Sequence, residues 1–193
     1  YKAPTKEELS KKNKETDELV KKQLEENIKL TKEIKEDLDA LKEKLLNKKE
    51  LGFQEKKQVQ ALIEKQKKVQ QSMEKLQRQN KDNNQMQEKF SKQDETLLEK
   101  QKQLQEMFEK VMTEEMKEMM RQMEEMMEKM KKDDLQKSLE QMELNNEELE
   151  KELDRNLELF KQLEVEKQLA EAKEKLDELR KEQAALKKET EDK

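Results

Sequence analysis

Nine of the twelve methionines of this 193-residue chain fall between residues 107 and 130. Thioethers are soft ligands suited to Cu(I), and Met116 with Met119, Met120 with Met123, Met123 with Met126, and Met127 with Met130 stand about one helical turn apart. The same residues have a plainer use. Methionine is an unbranched helix former that fills irregular gaps and tolerates more than one partner. Met120 and Met127, seven apart and beside the apolar seam, widen that seam beyond a two-helix contact. The expectation is therefore a packing or partner surface made of Phe90, Phe108, Met112, Met116, Met119, Met120, Met123, Met126, Met127, Met130 and Phe160, with no metal and no cofactor.

Other side chains offer less chemistry. The run Glu143, Glu147, Glu148, Glu150, Glu152, Asp154 has the ligand type of a calcium site but not the close spacing and Gly turn that make ligands converge. With no His and no Cys the chain lacks the commonest general base, a common nucleophile and the strongest zinc ligands. No catalytic residue is expected, and the chain is not expected to be an enzyme. Lys-rich stretches near 42–49 and 65–68 are interrupted by acids and lack aromatic neighbours, so no nucleic-acid partner is expected. No apolar run approaches the length of a membrane span, and no membrane contact by this stretch is expected. The first residue is Tyr1, which suggests a piece of a longer protein.

The elements that would carry these residues follow from composition. Charged residues make up 48% of the chain and hydrophobic ones only 30%, with one Gly and one Pro. That is too little apolar surface for an ordinary globular core. Disorder usually brings helix breakers and a strong net charge, whereas this chain has almost no breakers and a net charge of -5. Lys, Glu, Gln, Leu and Met favour helix. The expected class is all-α, with long helices in an elongated antiparallel coiled coil or helical hairpin bundle.

Three helices are expected, over about 5–49, 54–132 and 134–188, in a single elongated region. Thr5 and Glu8 have the spacing of a capping box. Apolar and small polar residues then recur in steps of three and four at Leu9, Asn13, Thr16, Val20, Leu24, Asn27, Thr31, Ile34, Leu38, Leu41 and Leu45. Gly52 follows a basic stretch, as at a helix C-terminus closed by a left-handed glycine, and marks a turn. A second seam runs Val59, Leu62, Gln66, Val69, Met73, Leu76, Asn80, Asn83, Gln87, Phe90, Asp94, Leu97, Gln101, Leu104, Phe108, Val111 without a slip. Asn80 to Asn84 could turn, but the unbroken phase favours one helix loosened there. The seam then shifts to Met112, Met116, Met119, Met123, Met126 and Met130, as in a stutter. Asp133 and Asp134, behind Lys131 and Lys132, mark either a hinge or a continuing helix. The last helix carries Leu139, Met142, Asn146, Leu149, Leu153, Asn156, Phe160 and Leu163, then a shifted set at Leu169, Ala172, Leu176, Leu179, Gln183 and Leu186.

Charge gives a separate indication of how these rods meet. Residues 41–80 hold eleven basic and five acidic groups, whereas 111–160 hold eight basic and sixteen acidic. Complementary blocks favour contact between the two regions. Folding back at Gly52 and at 132–134 would set helix 1 beside the first half of helix 2 and helix 3 beside its second half, with residues near 65 and 140 as neighbours. A parallel homodimeric rod, about 290 Å long if the helix were continuous, is the competing arrangement.

Residues 107–164 carry a more specific pattern: the Met-Glu-Lys alternation from Met107 to Met130; Asp134, Leu135, Leu139, Glu140, Gln141, Met142; Asn145, Asn146, Glu147, Glu148, Leu149; and Asp154 to Glu164. Together with the residues to the chain's end, this text resembles a family of very long coiled-coil proteins of Bacteroidota known only as a domain of unknown function. The resemblance implies transmembrane helices near the N-terminus of the parent protein and a large extramembrane, periplasmic coiled-coil region in the cell envelope. It supplies no catalytic residue. The functional expectation is a structural or scaffolding coiled-coil region that mediates protein-protein interaction in a larger assembly, by a protein partner or by self-association through helical seams. The competing expectation is a chaperone-like module whose Met-rich surface holds an apolar segment.

Overall fold

A computed structural model describes residues 6–46, 52–90, 95–111, 114–126 and 132–191, and all of its regular structure there is helix: α1 (Lys6–Leu46), α2 (Phe53–Phe90), α3 (Glu95–Lys110), α4 (Glu114–Met126) and α5 (Lys132–Glu191). Cross-helix pairs fix the direction of each rod. Lys14 meets Glu171 at 2.9 Å, Lys21 meets Glu164 at 3.3 Å and Lys35 meets Glu147 at 3.0 Å, so α5 runs antiparallel to α1. The Asn27–Met73 contact (3.2 Å) and the Lys65–Asp37 pair (2.7 Å) make α2 antiparallel to α1. Asn80 donates to Gln105 at 3.0 Å and Lys67 pairs with Glu124, so α3 and α4 together run back along α2. Lys100 pairs with Glu166, and α3 and α4 both pack on α5.

These contacts close a ring of four rods, α1, α2, α3–α4 and α5, each antiparallel to its neighbours. Among the described residues neither diagonal pair, α1 with α3–α4 or α2 with α5, approaches closely. The architecture of the described residues is an up-down-up-down helical bundle. The ring solves the shortage of apolar residues, because each rod buries one narrow stripe on a shared axis rather than a broad face.

The three-four periodicity predicts this core closely. Every expected seam position from Val20 to Leu45, from Val59 to Asn83, from Leu97 to Val111 and from Leu139 to Leu163 for which the side chain is described is buried. The expected single helix over 54–132 is corrected. Hydrogen-bonded Asn80 and Gln105 would lie about 37 Å apart on one continuous helix. The chain instead reverses between Phe90 and Glu95, while α2 passes through Asn80–Asn84 as helix. The unbroken phase misleads because Asn83 and Leu97, buried on opposite sides of the reversal, are fourteen residues apart, two whole heptads. The stutter corresponds to the α3–α4 junction, where buried Val111 is followed by buried Met116.

One of the two expected turn markers takes a different role. Gly52 has no left-handed backbone. It caps the start of α2 rather than the end of α1: its N–H donates to the buried Glu55 carboxylate at 2.9 Å and its carbonyl accepts from the Lys56 N–H at 3.2 Å. Glu55 thus reaches back as the acidic half of a capping box. A Cβ at residue 52 would stand 2.7 Å from the Glu55 carboxylate oxygen, the far end of a side chain that would have to shift to admit it. Asp133 and Asp134 are exposed and lie in the first turn of α5, which starts at Lys132, within two residues of the expected boundary, and their charge favours the positive helix end. Thr5, the expected first cap, lies outside the described residues.

Residues near 65 and 140 are not neighbours, because α2 and α5 are diagonal. The basic and acidic blocks do meet, but through adjacent rods, in the Lys67–Glu124 and Lys42–Glu143 pairs.

Candidate interaction surfaces and the polar core

The side chains expected to form a packing or partner surface are core residues wherever they are described. Phe108, Met116, Met120, Met123 and Phe160 are all buried, Met120 and Met123 at 2% and 1% exposure. Met120, expected beside the seam, is buried but stands outside the continuous core cluster that takes in Met116 and Met123. Met112, Met127, Met130 and the side chains of Phe90, Met119 and Met126 lie outside the described residues. The described part of the stripe faces inward because α4 is the short upper half of one rod, packed on both α2 and α5. A stripe widened by steps of four and three at Met116, Met120 and Met123 fills the gap between two neighbours. Flexible thioethers suit that irregular space.

A ladder of polar groups runs through the same core. Asn146 donates to the Thr31 carbonyl at 3.0 Å, the Thr31 hydroxyl donates to the Asn27 carbonyl at 2.7 Å, and the Asn27 amide approaches the Met73 sulfur at 3.2 Å. These contacts tie α5, α1 and α2 at one level. Gln66 is the exception: it is 1% exposed, and neither end of its amide has a protein partner. An unpaired buried amide costs about 1–3 kcal/mol. Gln66→Leu is expected to raise the melting temperature by roughly 2–6 °C. Calorimetry on the variant checks this; an unchanged or lower midpoint would show that Gln66 is satisfied, for instance by water.

Near the open end of the bundle a charged layer replaces the apolar one. Lys167 of α5 reaches both carboxylate oxygens of Asp17 at 3.2 and 3.0 Å, and Asn83 of α2 approaches the same carboxylate at 3.5 Å. Burial pushes the Asp17 carboxyl above its ordinary value, and the charge and hydrogen bond of Lys167 work against that shift. On the outside, Glu147 holds Lys35 protonated above the usual range by a hydrogen bond, and is itself held down by Lys35. The Glu143 hydrogen bond does the same for Lys42. These exposed pairs align α1 on α5 and contribute little stability each.

The remaining surface holds little that could enclose a small molecule. Two concavities of about 310 and 400 Å³ lie on the outer sides of α2–α3 and α2, lined mainly by Gln, Lys and Glu. Among the described residues no group of three acidic side chains is placed to hold a metal ion, and no helix is long and apolar enough to cross a membrane.

One surface was expected to be seam and is not. Leu169, Leu176, Leu179 and Leu186 are 56–64% exposed, and Ala172 and Gln183 are exposed with them. The bundle ends near the Ser10–Glu171 hydrogen bond (3.1 Å), and the rest of α5 extends beyond it. The fold and its polar ladder define an all-α helical bundle with a projecting helix. No protein-family model, curated protein or solved structure matches the chain.

Proposed function

We propose that this chain is a structural, scaffolding coiled-coil region that spaces and couples protein partners in a larger assembly of the cell envelope. The observation that carries this is the division of labour along α5. Roughly its first two thirds are locked into a bundle whose described apolar seams are used internally, and its last third projects with an apolar stripe exposed. A rod closed on itself at one end and open at the other is suited to holding a fixed separation while presenting a binding helix. The lack of His and Cys fits a role without catalysis. The resemblance of residues 107–164 to membrane-anchored envelope proteins supports the setting.

The described methionines other than half-buried Met107 are buried, which weakens the client-holding alternative without any observation favouring it. Small-angle scattering of the chain is expected to show a rod at least about 90 Å long, the length of the 60-residue α5. The chain is also expected not to suppress aggregation of an unfolding test protein. A compact sphere or a flexible coil in scattering, or strong suppression of aggregation, would overturn the spacer reading.

A further inference from the structure

Along α5 the apolar stripe changes sides. Asn156, Phe160 and Leu163 face the bundle axis, but the positions that continue this face are Lys167, Ala170, Glu174, Asp177 and Lys181. From residue 165 a second stripe begins, with Val165, Leu169, Ala172, Leu176, Leu179, Gln183 and Leu186 separated by alternating steps of four and three. At 100° per residue the two stripes lie about 170° apart around the helix. The second one therefore points away from α1 and α3, so the bundle does not obstruct it even at Val165, which is 55% exposed.

We propose that this stripe is the pairing surface for a second copy of the same chain, the two projecting helices lying antiparallel with Leu176 of one against Leu179 of the other. The proposal names the partner within the scaffold reading and rests on it for purpose, not for evidence. In this register Leu169 meets Leu186 of the second copy and Ala172 meets Gln183, so every leucine opposes a leucine and the longest side chain of the stripe opposes the smallest. Lys175 lies beside Glu182 of the second copy, twice by symmetry. On the other flank Lys173 lies beside Arg180, with Asp177 one turn from both to offset them. Residues 167–191 hold seven basic and seven acidic groups, so the segment carries no net charge to repel its copy.

A parallel pairing fits less well. It would balance Lys175 beside Arg180 with Glu182 beside Lys187 on both flanks, so that charge does not favour it, and it would bury Gln183 against itself. It would also bring together the outer faces over 143–164, where Glu148, Lys151, Arg155 and Glu158 are exposed in place of an apolar stripe. The antiparallel form keeps those faces at opposite ends of a rod about 140 Å long.

Sedimentation equilibrium of the whole chain at tens of micromolar is expected to give the mass of two 23.4 kDa chains. Leu176→Glu with Leu179→Glu is expected to weaken association at least 100-fold while leaving the bundle's melting transition in place. Because the native chain has no Cys, Ala172→Cys with Gln183→Cys should form an interchain disulfide on oxidation, and Ala172→Cys alone should not. A monomeric mass at all concentrations, a dimer indifferent to the two glutamates, or ready crosslinking of the single Ala172→Cys variant would each overturn the proposal. A monomer that keeps a rod of about 90 Å would do so while leaving the spacer reading intact, with the stripe free for a different protein or a membrane surface.

Discussion

Replacing Met116, Met120 and Met123 together with Gln is expected to destabilise the chain by about 3–9 kcal/mol and to release α4 from the bundle. Gln matches Met in length and helix preference, so the change adds polarity with little change in shape. All three side chains are buried. Each amide would lose water on entering a core whose described members are mostly apolar. A domain of this kind has about 5–15 kcal/mol in total. α4 has only 13 residues, too few to hold helical form without its packing face. Hydrogen exchange should show α4 amides losing protection first, and urea melts should show an early transition. Gln122→Met, on the exposed side of the same helix, is the control and should change little. If the triple variant kept full stability, these methionines would belong to a surface after all, and a client-holding role would regain its basis.

Lys167→Met is expected to cost about 2–3 kcal/mol at neutral pH, and to cost less in acid. The methionine keeps the aliphatic stem that covers the end of the bundle and removes only the ammonium. Asp17 then remains in its pocket without its closest cation, with side-chain exposure of 11%. Its folded pKa is already raised by burial, and loss of Lys167 removes the main influence opposing that. Between the ordinary carboxyl value and this raised one the folded chain binds more protons than the unfolded chain, so stability falls as pH rises through that window. The deficit against wild type should therefore be full well above the folded pKa and shrink as pH drops toward 4. Denaturant melts of both proteins at pH 7.5 and pH 4.5 measure it; an equal deficit at both would mean that Asp17 is not the group responsible. Adding Asp17→Leu to Lys167→Met should recover much of the loss, since the buried carboxylate would be gone.

The charged layer also bears on specificity. Asn83, Asp17 and Lys167 come from three different rods. A shift of α5 by one heptad against α1 would bury Asp17 opposite Phe160 or Glu174, neither of which can neutralise it. Asn146 on the Thr31 carbonyl acts similarly further down. Apolar heptads alone pack nearly as well one heptad out of register, so buried polar pairs are what distinguish the alternatives.

Helix content and the identity of the buried stripe were legible from the residues, because both depend on local preference and on spacing along one helix. Val59 to Asn83 and Leu139 to Leu163 could be assigned as core by counting threes and fours. The break in phase after Leu163 was legible too, but not what it meant. Periodicity says which side of a helix is apolar and nothing about whether another helix lies there. Only the fold showed that Phe160 is buried in the bundle while Leu176 faces solvent. The opposite directions of α2 and α3 were equally hidden: Ser91 to Asp94 contain no Gly or Pro, and the heptad count carries from α2 into α3. Direction of the chain is set by which rods can share an axis, through pairs such as Asn80–Gln105 and Asp17–Lys167 that lie 25 and 150 residues apart. Such pairings depend on all four rods at once, which is why they were decided by tertiary structure rather than by any segment alone.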